Sequence, residues 1–109
     1  MLSRANRLTR GLDYRHVVRR GRRCAGAHIV THVVSHAGGG VRFGFIVAKN
    51  VGSAVTRNTV RRRLKAACQA LLPAIGDGKD VVIRALPTSS LADYATLHAE
   101  VRRCLERAA

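Results

Sequence analysis

One stretch, Val47 to Lys65, constrains the fold most. An alternating apolar run stops at Lys49, a glycine turn follows at Gly52, and a helical repeat then begins. Ser53 is placed as an N-cap, because its hydroxyl can accept a hydrogen bond from an unpaired N–H of the first turn. Val60, Leu64, Ala67, Cys68 and Leu71 recur at helical spacing and form one apolar stripe. Arg57, Arg61 and Lys65 stand four apart with Asn58 and Arg62 beside them, so a basic stripe runs next to the apolar one. No acidic residue lies between Gly52 and Pro73. Like charges four apart cost a helix a few tenths of a kcal/mol each. A solvated face that mixes charge signs would not show this pattern, whereas a surface for phosphates would, since arginine offers a planar donor fork.

The rest of the chain supports a polyanion partner. The 109 residues carry 20 Lys+Arg against 6 Asp+Glu, a formal net charge of +14. The excess is not spread evenly. Residues 1–65 hold 15 Lys/Arg and only Asp13 as an acid, while residues 66–109 hold five of each sign. Concentrated positive charge of this kind attracts nucleic acid. The length suits a single domain over 1–109 that buries a core. There is no apolar run long enough to span a membrane and no signal-peptide h-region, so a cytoplasmic protein without membrane contact is expected.

Read in order, residues 1–10 carry Arg4, Arg7 and Arg10 and are expected to be an extended or loosely held basic segment. A short helix is predicted over Leu12–Arg20, stopped at Gly21. Ala27–Val34 alternates and is β-branched, so it reads as a strand. Ser35–Gly40 reads as a hairpin connection, and Val41–Ala48 as the second strand. Val41, Phe43, Phe45 and Val47 are expected to face the basic helix. Pro73, Gly76 and Gly78 mark a loop, and Val81–Leu86 a third strand. Thr88, Ser89 and Ser90 are N-cap candidates for a last helix to about Arg107, with Leu91, Tyr94, Leu97, Val101 and Leu105 as its core stripe. The order α-β-β-α-β-α implies an α+β fold, a small two-layer sandwich with helices on a mixed twisted sheet.

Little points to a protein active site. Metal-assisted phosphodiester cleavage needs converging carboxylates. Asp77 and Asp80 share a predicted loop, Asp93, Glu100 and Glu106 fall on the exposed side of the last helix, and Asp13 is alone. His28, His32 and His36 repeat every four residues, but on a strand such neighbours stand about 13 Å apart, too far to share an ion. No catalytic and no metal-binding residue is therefore assigned. Cys24, Cys68 and Cys104 are odd in number, widely spaced and without a C-x-x-C pair, so neither a zinc ribbon nor a disulfide framework is expected. Cys68 and Cys104 read as small core residues.

The segment Ala54-Val55-Thr56-Arg57-Asn58-Thr59-Val60-Arg61-Arg62 resembles the arginine–asparagine helix of the protein subunit of bacterial ribonuclease P. Asn6-Arg7-Leu8 with Asp13-Tyr14 resembles that family's basic N-terminal segment and aromatic first helix. Gly44 and Asp80-Val81-Val82-Ile83 match as well, and the likeness runs from Asn6 to Leu105. It implies a fold similar to the second domain of a small-subunit ribosomal protein, with a left-handed strand–helix–strand crossover, against the usual right-handed rule. It also implies a division of labour. A catalytic RNA subunit, holding Mg²⁺, hydrolyses precursor tRNA to release the mature 5′ end. The protein, a monomer in a 1:1 ribonucleoprotein, binds that RNA and the 5′ leader without holding metal by itself.

Carried over by motif, Arg57, Asn58, Arg61, Arg62 and Lys65 would face the catalytic RNA. Arg7, Arg10, Tyr14, Val18, His32 and Lys49 would form the leader cleft, with His32 where a planar ring can stack on an unpaired base. Val18 stands where phenylalanine is usual, Asn50 where a second lysine is common, Ser53 where asparagine is frequent and Thr59 where arginine is frequent. The alternative from the same basic face is a ribosomal-type or RNA-chaperone protein with no catalytic partner. A stand-alone nuclease is disfavoured by the few carboxylates.

Overall fold

In a computed structural model, which describes residues 2–108, a four-stranded mixed sheet carries three helices. The elements are α1 (Gly11–Arg20), β1 (Arg22–Ala25), β2 (Ile29–Ser35), β3 (Val41–Ile46), α2 (Ala54–Ile75), β4 (Lys79–Ala85) and α3 (Tyr94–Ala108). The strand order is β1-β2-β4-β3, with β3 parallel to β4 and the other pairs antiparallel. Helices on a mixed sheet make the expected α+β class, but α1 lies on the sheet face opposite α2 and α3, giving three layers where two were expected, and β3–α2–β4 forms the parallel crossover.

Alternation decides which residue faces which layer. Val41, Phe43, Val81, Ile83, Ile29 and Val33 meet Val60, Leu64, Cys68 and Leu71 of α2 and Leu97, Val101 and Leu105 of α3 in the main core. The helical stripe read from the sequence is thus the buried face of α2. The opposite sheet face carries a smaller cluster, in which Val17 and Tyr14 of α1 pack on Val82, Val34, Ile46 and Leu8.

Several expectations are corrected. The first and second expected strands, β2 and β3, do not form a hairpin, because β4 lies between them. The glycine loop instead folds against Gly78, whose N–H reaches Gly40 O at 2.9 Å and whose carbonyl accepts His36 N–H at 2.7 Å. Gly78 has φ +69°, and a Cβ there would stand 2.5 Å from His36 O, so only glycine fits. Pro73 lies inside α2 rather than in a loop. The helix continues past it because Leu71, Leu72 and Ile75 still pack on the core.

The N-cap of α3 is Asp93, whose Oδ1 accepts Thr96 N–H at 2.8 Å, not Thr88, Ser89 or Ser90. Pro87–Leu91 is a 3-10 turn, leaving Leu91 87% exposed and outside the core stripe, and Tyr94 is also exposed. Glu100 is not on the solvent side. Its carboxylate accepts His28 N–H at 3.0 Å and lies 3.8 Å from His28 Nε2.

The N-terminal segment is not loose. Leu2 and Leu8 are buried, Arg4–Asn6 is a 3-10 turn, and Arg7 bridges in parallel to Phe43; Met1 lies outside the described residues. Cys24 and Cys104 are joined by a disulfide across 80 residues, correcting the expectation of none, and only Cys68 is a free buried thiol.

Candidate nucleic-acid interface

The interface is built first from α2. Ser53 Oγ accepts Thr56 N–H at 3.3 Å and opens the helix as expected. With Val60 and Leu64 turned inward, Arg57, Arg61 and Lys65 emerge half-buried along the flank, while Asn58 and Arg62 are exposed. Arg61 Nη1 donates to Asn58 Oδ1 at 2.8 Å, and Arg62 Nη2 donates to Thr59 Oγ1 at 3.4 Å. Both partners are neutral, so the charges remain unpaired. Arg57 Nε is buried without a hydrogen-bond partner.

The acids are engaged elsewhere. Asp80 takes both Nε and Nη2 of Arg42, at 3.0 and 2.7 Å, and lies 3.2 Å from His36 Nε2. That hydrogen-bonded carboxylate raises the pKa of Arg42, against a smaller opposing effect of burial. Asp13 stands 3.9 Å from Arg42, and Glu106 3.8 Å from Arg102. Asp93 caps α3, and the Thr96 backbone N–H holds its pKa below the usual carboxylate value. Among the described residues no three His, Cys, Asp or Glu side chains gather to hold a metal ion. These carboxylates do not converge as a Mg²⁺ site requires.

The edge of β3 brings the N-terminus to this helix. An edge strand presents unpaired backbone groups, and the N-terminal segment and α1 satisfy them here. Asn6 Nδ2 donates to Val41 O at 2.8 Å, Leu8 N–H to Phe43 O at 2.8 Å, and Phe45 N–H to Tyr14 Oη at 3.2 Å. Arg7 is thereby placed beside α2. A small pocket of about 160 Å³ results, with Arg7, Arg61 and Lys65 at its rim and Tyr14, Phe43 and Phe45 in its wall. Three cations converge on aromatic surface with no acid among the lining residues. Guanidinium groups beside aromatic surface are the chemistry that suits a phosphate and an unpaired base.

On the other side of Tyr14 a more open groove of about 440 Å³ runs between α1 and the sheet, lined by Tyr14, Arg15, Val18, Arg19 and Ile46. Tyr14 separates the two hollows and belongs to both.

A family model described as Ribonuclease P matches residues 2–109. The chain belongs to the ribonuclease P protein family. It is 47% identical to the ribonuclease P protein component of Clavibacter michiganensis subsp. michiganensis over 109 residues, covering 99% of this chain and 96% of the relative. It is 40% identical to that of Mycobacterium avium, covering 98% and 94%. Among solved structures, the ribonuclease P protein of Thermotoga maritima superposes with a TM-score of 0.83 at 21% identity, covering 93% of this chain and 96% of that one. That of Staphylococcus aureus gives 0.81 at 20% identity, covering 99% and 92%. At such identities the likeness is one of fold.

Of the residues expected from the likeness to ribonuclease P proteins, the structure gathers Arg7, Tyr14, Arg61 and Lys65 about one pocket, and Tyr14 and Val18 about the groove. Asn58 and Arg62 lie on the exposed flank of α2. Arg10 is exposed at the N-terminal end of α1, its carbonyl accepting Asp13 and Tyr14 N–H at 3.1 and 3.2 Å. Lys49 stands apart, exposed in the 3-10 turn Lys49–Val51.

His32 departs from expectation. At 6% exposure its ring is packed into the sheet rather than open to a base. Burial lowers its pKa, and Arg84 and Arg23 lower it further. Those two exposed arginines are the charged surface there, and neither was singled out from the sequence. Arg15 and Arg19 of the groove were also missed, although their spacing of four on one helix was a usable signal.

Proposed function

We propose that this chain is the protein component of ribonuclease P, an RNA-binding cofactor of a ribozyme acting in the cytoplasm. In this reading α2 presents Arg57, Asn58, Arg61, Arg62 and Lys65 to the catalytic RNA. The groove between α1 and the sheet, with Tyr14 and Val18 in its lining, receives the 5′ leader of precursor tRNA, while Arg7, Arg10 and Lys49 add positive charge along the leader's path outside the groove. His32 sits beneath that surface as a packing residue between Arg23 and Arg84.

The observation that carries the reading is the convergence of cations from the N-terminal segment and α2 on aromatic surface, with no carboxylate among the residues lining that pocket. In this reading the protein supplies charge and shape, and the RNA subunit supplies hydrolysis and holds Mg²⁺. Protein and RNA form a 1:1 complex. By screening phosphate repulsion, the cationic face lowers the Mg²⁺ needed to bring the two RNAs together.

Reconstitution tests this. Purified protein, RNA subunit and precursor tRNA are combined at low Mg²⁺, and each component is assayed alone. The expected result is a mature 5′ end only when the RNA subunit is present, formed faster with protein. Maturation by RNA-free protein would overturn the division of labour. RNA binding with no effect on processing would favour a general RNA-binding role instead.

A further inference from the structure

β1 forms the edge of the sheet opposite β3 and, among the described residues, has β2 as its only neighbouring strand. Cys24 on β1 is bonded to Cys104 on α3. The bond borders a cavity of about 340 Å³ whose other lining residues include Arg22, Arg23 and Arg107, with no carboxylate among them. Cys24 is half-buried, whereas Cys104 is fully buried. Cations beside a sulfur favour its thiolate, and they also attract anionic reactants.

We propose that the Cys24–Cys104 pair is a thiol–disulfide exchange site for anionic low-molecular-mass thiols and their disulfides. An incoming thiolate attacks Cys24 Sγ, the accessible sulfur. The Cys24–Cys104 bond breaks, and Cys104 leaves with the electron pair and takes up a proton. Cys24 O lies 3.6 Å from Cys104 Sγ, so the released thiol has an acceptor at hand. A second thiolate attacks the outer sulfur of the mixed disulfide and frees Cys24. The products are one small-molecule disulfide and two protein thiols, a two-electron exchange that runs in either direction with the surrounding thiol pool. Cys68 takes no part, since complete burial pushes its thiol pKa up and shields it. Reduction unties the edge strand that carries Arg22 and Arg23, so the redox state sets how firmly those arginines are held. This inference is independent of the RNA-binding reading.

The test uses full-length protein. Purified without reductant and alkylated after denaturation, it is expected to gain a label at Cys68 alone, and at all three cysteines after reduction. Reduction rates, compared per thiolate, are then measured with 3-mercaptopropionate, 2-mercaptoethanol and cysteamine. The anionic thiol is expected to exceed the cationic one by about tenfold or more at low salt, with the gap closing near about 1 M salt. Cys104→Ser, treated with the disulfide of 3-mercaptopropionate, is expected to gain one adduct at Cys24. Three free thiols in the unreduced protein, equal per-thiolate rates, or an adduct at Cys68 in place of Cys24 would each overturn the proposal.

Discussion

The ring of Tyr14 occupies the space that a side chain at residue 44 would need: a Cβ on Gly44 would stand 2.5 Å from Tyr14 Cζ. The missing side chain lets α1 settle on the sheet. In that position Tyr14 Oη accepts the Phe45 N–H at 3.2 Å and reaches Leu8 O at 3.4 Å. One aromatic residue thus fixes the first helix, the edge of β3 and the N-terminal segment together. The two hollows of the interface share that residue as their common wall.

Gly44→Ala is therefore expected to destabilise the protein. Alanine lowers the entropy of the unfolded chain, a gain of about 0.4–1 kcal/mol where the backbone permits it. Forcing a methyl group into a packed site costs about 1–3 kcal/mol, so the clash wins. Urea unfolding is expected to show a lower midpoint at unchanged slope. The double variant with Tyr14→Ala should lose less than the sum of the single losses, since the clash disappears with the ring. Additive losses would show that the ring can move aside without cost.

Val60→Asp tests which face of α2 is inside. Val60 is 1% exposed in the main core, whereas Val55 on the same helix is 76% exposed. A buried unpaired carboxylate costs several kcal/mol, against a total stability of about 5–15 kcal/mol for a domain. Val60→Asp is expected to abolish the cooperative unfolding transition. Val55→Asp is expected to stay within about 0.5 kcal/mol of the parent. Circular dichroism on heating distinguishes them, and a cooperative Val60→Asp variant would mean the faces were reversed.

The period of 3.6 made α2 readable, because its apolar stripe and its basic stripe occupy different angles of one helix. Its N-cap was readable for the same local reason. What failed was set by distant partners. Arg22-Arg23-Cys24-Ala25 has no apolar alternation, yet it becomes β1 because β2 offers an edge to pair with. The three glycines before Val41 looked like a hairpin turn, but β4, arriving from forty residues on, takes the place between the strands. Pro73 looked like a helix stop, but the burial of Leu71 outweighs the lost backbone bond. The Cys24–Cys104 bond joins residues whose spacing in the sequence says nothing about their distance in space. The pocket beside Arg7 was hidden for the same reason, since it exists only once the N-terminal segment docks on β3.

His32 gives a pH signature. Its folded-state pKa lies below the ordinary 6.5 because of burial first and of Arg84 and Arg23 second. Between the lowered value and 6.5 the unfolded chain binds more protons at this residue than the folded one does. Stability therefore rises with pH through that window and is lost as pH falls through it. The expected result is a drop in urea midpoint on acidification below about pH 6.5 that is smaller in His32→Gln. Equal pH profiles for parent and variant would show that His32 titrates alike in both states.

Arg62 is exposed on the flank of α2, where its Nη2 donates to Thr59 Oγ1. Arg62→Ala is expected to leave stability within about 0.5 kcal/mol and to weaken binding to the RNA subunit. The slope of log affinity against log salt should become shallower by about 0.7–0.9 for each phosphate that the variant no longer neutralises. Filter binding at several salt concentrations measures this. An unchanged slope would place the phosphates away from this stripe.

Arg7 and Arg61 line the same pocket from well-separated parts of the sequence, the N-terminal segment and the middle of the chain. If one RNA phosphate lies between them, removing either arginine also weakens the grip of the other. The double variant Arg7→Ala/Arg61→Ala should then lose less affinity than the two single losses combined, with a coupling of about 0.5 kcal/mol or more. Arg10→Ala serves as a comparison, because Arg10 is exposed at the start of α1 and does not line the pocket. Paired with Arg61→Ala it should give additive losses. Coupling equal in the two cycles would mean that the cations act as a diffuse field. Coupling confined to Arg7 and Arg61 would mark the hollow under Tyr14 as a point where one nucleotide is held from two sides.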